Sequence, residues 1–143
     1  MNVLIVYWST TWNNQAMAEE IETYLREEED NVNIEIWTWS EYTAEDLTDY
    51  DMVFLWSSTW WDWDIQDDMV DLVAEIEAVD LAWAHCAVFA NWMSSFPKFC
   101  EAWKKITAAL KTAWADIVWD TFEVDWDVYD AAEDLREWVK SVI

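Results

Sequence analysis

Glycine is absent from all 143 residues, where about 7% is usual for a globular chain. Its absence removes the one residue that enters left-handed turns freely and lets backbone approach a ligand closely. Basic side chains are scarce too: 7 Lys and Arg stand against 31 Asp and Glu, for a net charge of -24. Arg26 is the only one of them ahead of Lys98. That excludes a nucleic-acid partner, whose phosphates are met by Lys and Arg, and disfavours an anionic membrane surface. There is one histidine, His85, and there are two cysteines, Cys86 and Cys100, with no CxxC between them. Zinc, iron–sulfur and thioredoxin-type chemistry therefore lack ligands or spacing, and no metal site is expected. A Ser–His–Asp set is no more credible, and His85 reads as structural. No apolar run approaches the roughly 20 residues of a membrane span. Met1 to Tyr7 has no basic n-region, so a secretory signal is not expected. These absences point to a soluble cytoplasmic protein with two unpaired core thiols.

What remains is apolar and aromatic: 55% of residues are hydrophobic and 15 are tryptophan. The length suits one domain, residues 1–143, with one sizeable core. Val3 to Tyr7 is a continuous apolar run, as in a strand buried on both faces. Met17, Ile21, Tyr24 and Leu25 follow at helical spacing, and Val32, Ile34 and Ile36 alternate as a second strand. Thr43 to Leu47 reads as a short helix and Met52 to Leu55 as a third strand. Met69, Leu72, Val73 and Ile76 mark a helix that opens near Gln66, where acidic residues favour the positive helix end. Cys86 to Phe89 is a fourth strand, and Phe99 to Ala113 is the clearest helix, with Pro97 placed to open it. Ile117 through Val124 supplies a fifth strand, and Ala131 to Val142 a closing helix. Strand and helix alternate five times, which implies an α/β fold: a doubly wound parallel sheet with helices on both faces, in three layers. Such a sheet binds ligands at the carboxyl ends of its strands, beside the topological switch.

Three loops then matter. The first, Tyr7-Trp8-Ser9-Thr10-Thr11-Trp12-Asn13-Asn14, brings three consecutive hydroxyls to a helix start, where free N–H groups and the dipole favour an anion. A phosphate held so needs no lysine; taken alone, the same residues also read as an ordinary N-cap. The second runs Trp56-Ser57-Ser58-Thr59-Trp60-Trp61-Asp62-Trp63-Asp64, and its indoles read either as packing or as a platform for a flat ring. The third runs from Ala90 and Asn91 through Trp92, Met93, Phe96 and Pro97 to Phe99 and Cys100.

Together these loops resemble the short-chain flavodoxins along essentially the whole chain. The first is similar to that family's phosphate loop, the second to its Ser-Thr-Trp-Gly-Asp stretch followed by a Gln-Asp-Asp helix start, and the third to its Phe-Gly-x-Gly-Asp-x-Ser-Tyr-x-x-Phe-Cys segment. The resemblance implies a five-stranded sheet in the order 2-1-3-4-5 and a non-covalently bound flavin mononucleotide (FMN) that carries single electrons at low potential. It places Ser9, Thr10, Thr11, Trp12, Asn13 and Asn14 at the phosphate. Ser57, Ser58, Thr59, Trp60, Trp61 and Asp62 fall at the ring and ribityl chain, with Trp60 flanking the ring. Asn91, Trp92, Met93, Phe96, Phe99 and Cys100 fall on the far side, with Phe96 where a tyrosine usually stacks. Trp12 stands at a family glycine, Asn14 at a threonine and Met93 at an aspartate.

Asp62, Asp64, Asp125 and Asp127 are expected near the ring, where negative charge disfavours further reduction by the like-charge effect that raises a neighbouring carboxylate's pKa. The acidic surface suits a basic redox partner, met by a monomer that is not itself an enzyme. Trp8, Trp12, Trp37, Trp39, Trp61, Trp63, Trp83, Trp92, Trp114 and Trp126 fall at element ends or in turns. Each one forced to positive φ would cost about 1–2 kcal/mol. Deliberate recoding is the simplest account of this composition. Two alternatives stand beside the electron carrier: an engineered glycine-free scaffold with weak or no FMN binding, and a small FMN-dependent reductase. A phosphoacceptor domain is set aside, because strands one and three do not end in the acidic residues it needs.

Overall fold

The computed structural model describes residues 1–7, 12–38, 41–58, 67–92, 101–118, 121–125, 127 and 129–143, with the backbone alone at 12–14, 57–58, 67–69, 91–92 and 101–103. The elements run β1 (Asn2–Tyr7), α1 (Trp12–Glu28), β2 (Asn33–Thr38), a 3-10 helix (Ala44–Asp49), β3 (Met52–Ser58), α2 (Asp67–Ala78), β4 (His85–Trp92), α3 (Glu101–Thr112), β5 (Asp116–Ile117), β6 (Phe122–Asp125) and α4 (Ala132–Val142). All pairings in the sheet are parallel, in the order β2-β1-β3-β4-β5, with β6 also on β4. The expected doubly wound α/β fold and strand order are both present.

Three differences from the sequence expectation have physical causes. β3 and β4 run past Leu55 and Phe89, to Ser58 and Trp92. Trp56 and Phe89 are fully buried and meet edge to face, centroids 4.9 Å apart at 87°. Strand pairing therefore continues into residues that read as loop, and Ser57, Ser58, Asn91 and Trp92 belong to strands. The single fifth strand is two short ones, each pairing with β4 at a different height. The expected short helix is a 3-10 turn opened by Thr43, whose N–H and hydroxyl both donate to Asp46 Oδ2 at 2.9 Å. The described part of α3 runs Glu101–Thr112; Pro97 and Phe99, the expected opening of the helix, lie outside the described residues.

Two cores flank the sheet. On the side of α2 and α3 the buried set is aliphatic: Leu4, Val53, Leu55, Leu72, Ile76, Ile106 and Leu110 among others, with Cys86 at its centre. Burial pushes the Cys86 thiol up to about 12, so it is an inert hydrophobe. On the side of α1 and α4 the core is aromatic, with Phe54, Trp56 and Phe89 buried and Trp138 and Phe122 packed against them. There Arg136 clamps α4 to α1, its Nε donating to Glu20 at 2.6 Å and an Nη to Glu27 at 3.1 Å.

Among the described residues one backbone position takes positive φ, Trp114 at 66°. Ala115 N–H donates to Leu110 C=O at 3.0 Å and Trp114 N–H to Lys111 C=O at 3.2 Å. That pair of bonds is the Schellman closure of a helix, and Trp114 occupies its left-handed position, where glycine is favoured. Its side chain is 78% exposed, so the strain is not offset by burial. Trp83, in the turn before β4, is 89% exposed but keeps an ordinary φ.

Candidate functional site

The chain leaves β1, passes through α1 to β2 on one side, then returns through β3 on the other. The winding direction therefore reverses between β1 and β3, and the crevice beyond their carboxyl ends is where such sheets take ligands. Register aligns the ends of the central strands: Val6 opposite Leu55, Ser58 opposite Asn91, and Trp92 opposite Asp125. The connections 8–11, 59–66 and 93–100 all leave from this one edge.

The structure places part of the expected site. Trp12, Asn13 and Asn14 are the first three residues of α1, Ser57 and Ser58 the last two of β3, and Asn91 and Trp92 the last two of β4. All seven stand at the carboxyl edge. Ser9, Thr10, Thr11, Thr59, Trp60, Trp61, Asp62, Met93, Phe96, Phe99 and Cys100 lie outside the described residues, as does Asp64. Asp125 ends β6 beside Trp92, and Asp127 follows it, its Oδ1 accepting from Tyr129 N–H at 2.9 Å.

The electrostatics of this edge are uneven. In a chain of net charge -24 the first 18 residues carry no carboxylate, and the first turn of α1 has none. The other three helices open on acid: Asp67-Asp68 in α2, Glu101 in α3, and Glu133 with Asp134 in α4. Among the described α-helices, the positive end of α1 is thus the one left without a side-chain anion, as a bound phosphate requires. One buried donor also stands next to the candidate residues. Among the described residues, the indole N–H of Trp56, directly before Ser57, finds no hydrogen-bond partner, a deficit that normally costs about 1–3 kcal/mol. Sequence reading took Trp56 for the start of a loop. The apolar run Met52 to Leu55 leading straight into it was the signal that it continues the strand.

His85, at the opposite edge, pairs its Nδ1 with Asp116 Oδ2 at 2.9 Å across β4 and β5, away from the candidate loops. Among the described residues no cluster of His, Cys, Asp or Glu could hold a metal ion, and no helix is long and apolar enough to cross a membrane.

Comparison with known proteins agrees with this geometry. The family model described as Flavodoxin matches residues 5–138. A flavodoxin of Nitratidesulfovibrio vulgaris is 35% identical over 145 residues, spanning 99% of this chain and 97% of its own. A probable flavodoxin of Bacillus subtilis is 32% identical over 129 residues, 86% of this chain and 81% of its own. Among solved structures, oxidised flavodoxin 1 of Bacillus cereus superposes with a TM-score of 0.85 at 26% identity, covering 99% of this chain and 97% of that one. A mutant flavodoxin of Fusobacterium nucleatum, solved bound to flavin mononucleotide, shares the fold with a TM-score of 0.81 at 10% identity, covering 99% of this chain and 94% of that one.

Proposed function

The chain belongs to the flavodoxin family, and from that premise we propose that it is a low-potential one-electron carrier working on FMN held at the carboxyl edge of β1, β3 and β4. The observation that carries the assignment to this edge is the carboxylate-free start of α1 beside the topological switch, in a chain otherwise dominated by acid. Bound FMN supplies reversible one-electron chemistry at its ring. The protein's part is to hold, orient and bias it. The N–H groups at the start of α1, with Ser9, Thr10 and Thr11, would hold the phosphate without a lysine. Trp60 and Phe96 would cover the ring and exclude water. Asp62, Asp64, Asp125 and Asp127 would put negative charge near the ring and so disfavour adding more there.

Several site positions depart from the family pattern. Trp12 and Trp61 stand in the sequence where family backbone is expected to come close to phosphate and ring, which points to deliberate recoding and to weaker binding than a glycine-bearing loop gives. The acidic surface steers a basic redox protein toward a monomeric carrier in the cytoplasm, and no substrate chemistry is assigned to the chain itself.

The test is a titration of FMN with the purified protein, following loss of flavin fluorescence beside a far-UV circular dichroism spectrum. Stoichiometric quenching at micromolar protein or below is expected. A helix-and-strand spectrum without quenching would leave the fold standing and remove the function.

A further inference from the structure

Away from the carboxyl edge, one carboxylate gathers three aromatic donors. Glu35 of β2 accepts at the same oxygen, Oε2, from the Trp37 indole N–H at 3.0 Å, the Tyr42 hydroxyl at 3.0 Å and the Tyr50 hydroxyl at 3.1 Å. The Tyr42 and Tyr50 hydroxyls also stand within hydrogen-bond reach of each other, so their two protons are shared among three contacts, and one hydroxyl can donate to its neighbour in place of Glu35. The rings form a short series: Trp37 to Tyr42 with centroids 5.7 Å apart at 52°, and Tyr42 to Tyr50 at 6.2 Å and 54°. Trp37 is 38% exposed, while both tyrosines are half-buried against the aliphatic core. We infer that this cluster is a proton-coupled oxidation site at which a one-electron oxidant converts Tyr42 and Tyr50 into a dityrosine cross-link.

The chemistry follows from the placement. A phenol loses an electron readily only if its proton can leave at the same time, and here both hydroxyls face one carboxylate oxygen. The exposed indole of Trp37 meets an oxidant in solution first and lies in ring contact with Tyr42, so the electron vacancy passes inward. Each tyrosine gives one electron to the oxidant and its hydroxyl proton to Glu35 Oε2, directly or by way of the other hydroxyl, and Glu35 releases each proton to water in turn. The two phenoxyl rings then join through a carbon–carbon bond between positions ortho to the oxygens. The two ring hydrogens displaced move to those oxygens and restore the phenols. In sum, two electrons reach the oxidant and two protons reach water. The hydroxyl contact already brings the hydroxyl-bearing edges together, and coupling needs the two rings to close further from their centroid separation of 6.2 Å. Burial, first, with the mutual hydrogen bond and Glu35, holds Tyr42 above the ordinary phenol range. The hydrogen bond from Trp37, first, holds the Glu35 carboxyl below its usual range. The resting pair is therefore two neutral phenols facing an ionised acceptor.

The test exposes the protein to a photogenerated ruthenium(III) complex with persulfate as terminal acceptor, which takes two electrons to give two sulfates. Dityrosine fluorescence and peptide mass spectrometry read the outcome. The expected product is monomeric and links the peptides holding residues 42 and 50, at a mass lower by two hydrogens. Tyr129, 80% exposed, marks unselective oxidation, which joins separate chains instead. Tyr42→Phe and Tyr50→Phe should each abolish the internal link. Glu35→Gln, which keeps an accepting oxygen but no base, should cut its yield several-fold with an unchanged circular dichroism spectrum. Cross-links confined to Tyr129, or an equal yield from Glu35→Gln, would overturn the inference.

Discussion

The two sides of the sheet solve the same burial problem with different side chains. Facing α2 and α3, the core is Leu, Ile, Val and Ala, each touching neighbours of similar shape. Facing α1 and α4, the rings of Phe54, Trp56, Phe89, Trp138 and Phe122 contact one another in a connected series. The aliphatic side is a set of replaceable parts, whereas the aromatic side links helix α4 to the ends of β3 and β4, where the candidate loops begin. The first side should set stability alone; the second should set stability and the site together.

Phe89→Ala breaks the comparison hardest. Phe89 touches both Trp56 and Trp138, so its loss should cost about 3–5 kcal/mol in urea unfolding and also weaken FMN binding. Leu110→Ala on the aliphatic side should cost about 2–5 kcal/mol and leave FMN affinity in the folded protein unchanged. Equal effects on binding would erase the distinction.

The next largest effect has the opposite sign. Trp114 closes α3 in a left-handed conformation with its indole in solvent, so Trp114→Gly should stabilise by about 1–2 kcal/mol and raise Tm. The gain should come without any change in flavin binding, because this turn lies at the opposite edge from the loops.

The smallest effect is a pH dependence at the margin of the aliphatic side. Glu35 is held below the usual carboxylate range in the folded state. Its contribution is therefore complete above the unfolded carboxylate pKa and fades as pH falls through the folded value. Tyr42 and Tyr50 are held above 10.0, so theirs is complete below the unfolded phenol pKa and is lost as pH rises past it. Chemical denaturation across pH should show both limbs in the native protein. Glu35→Gln should flatten the acid limb and Tyr42→Phe reduce the alkaline one.

Strand and helix order were legible in the sequence because continuous apolar runs such as Val3 to Val6 and the spacing of Ile106, Ala109 and Leu110 have few other readings. The ends of β3 and β4 were not. Trp56 and Trp92 follow or flank polar residues, and only Trp56 packing on Phe89 shows that the ladder continues there. Three loops at one edge could be named from their hydroxyls and indoles, since strand order alone brings them together. The Glu35 cluster was invisible: its tyrosines lie 7 and 15 positions along the chain, beyond a 3-10 turn whose path no periodicity encodes. Trp114 lay between the two, for a tryptophan after Ala113 marks a helix end, but only the closing hydrogen bonds show the left-handed backbone.

The most direct measurement is an anaerobic potentiometric titration of the FMN-loaded protein. If the carboxyl edge holds the flavin among its carboxylates, reduction should occur in two well-separated one-electron steps, the second far below that of free FMN. A single two-electron transition at the potential of free FMN would contradict the electron-carrier account.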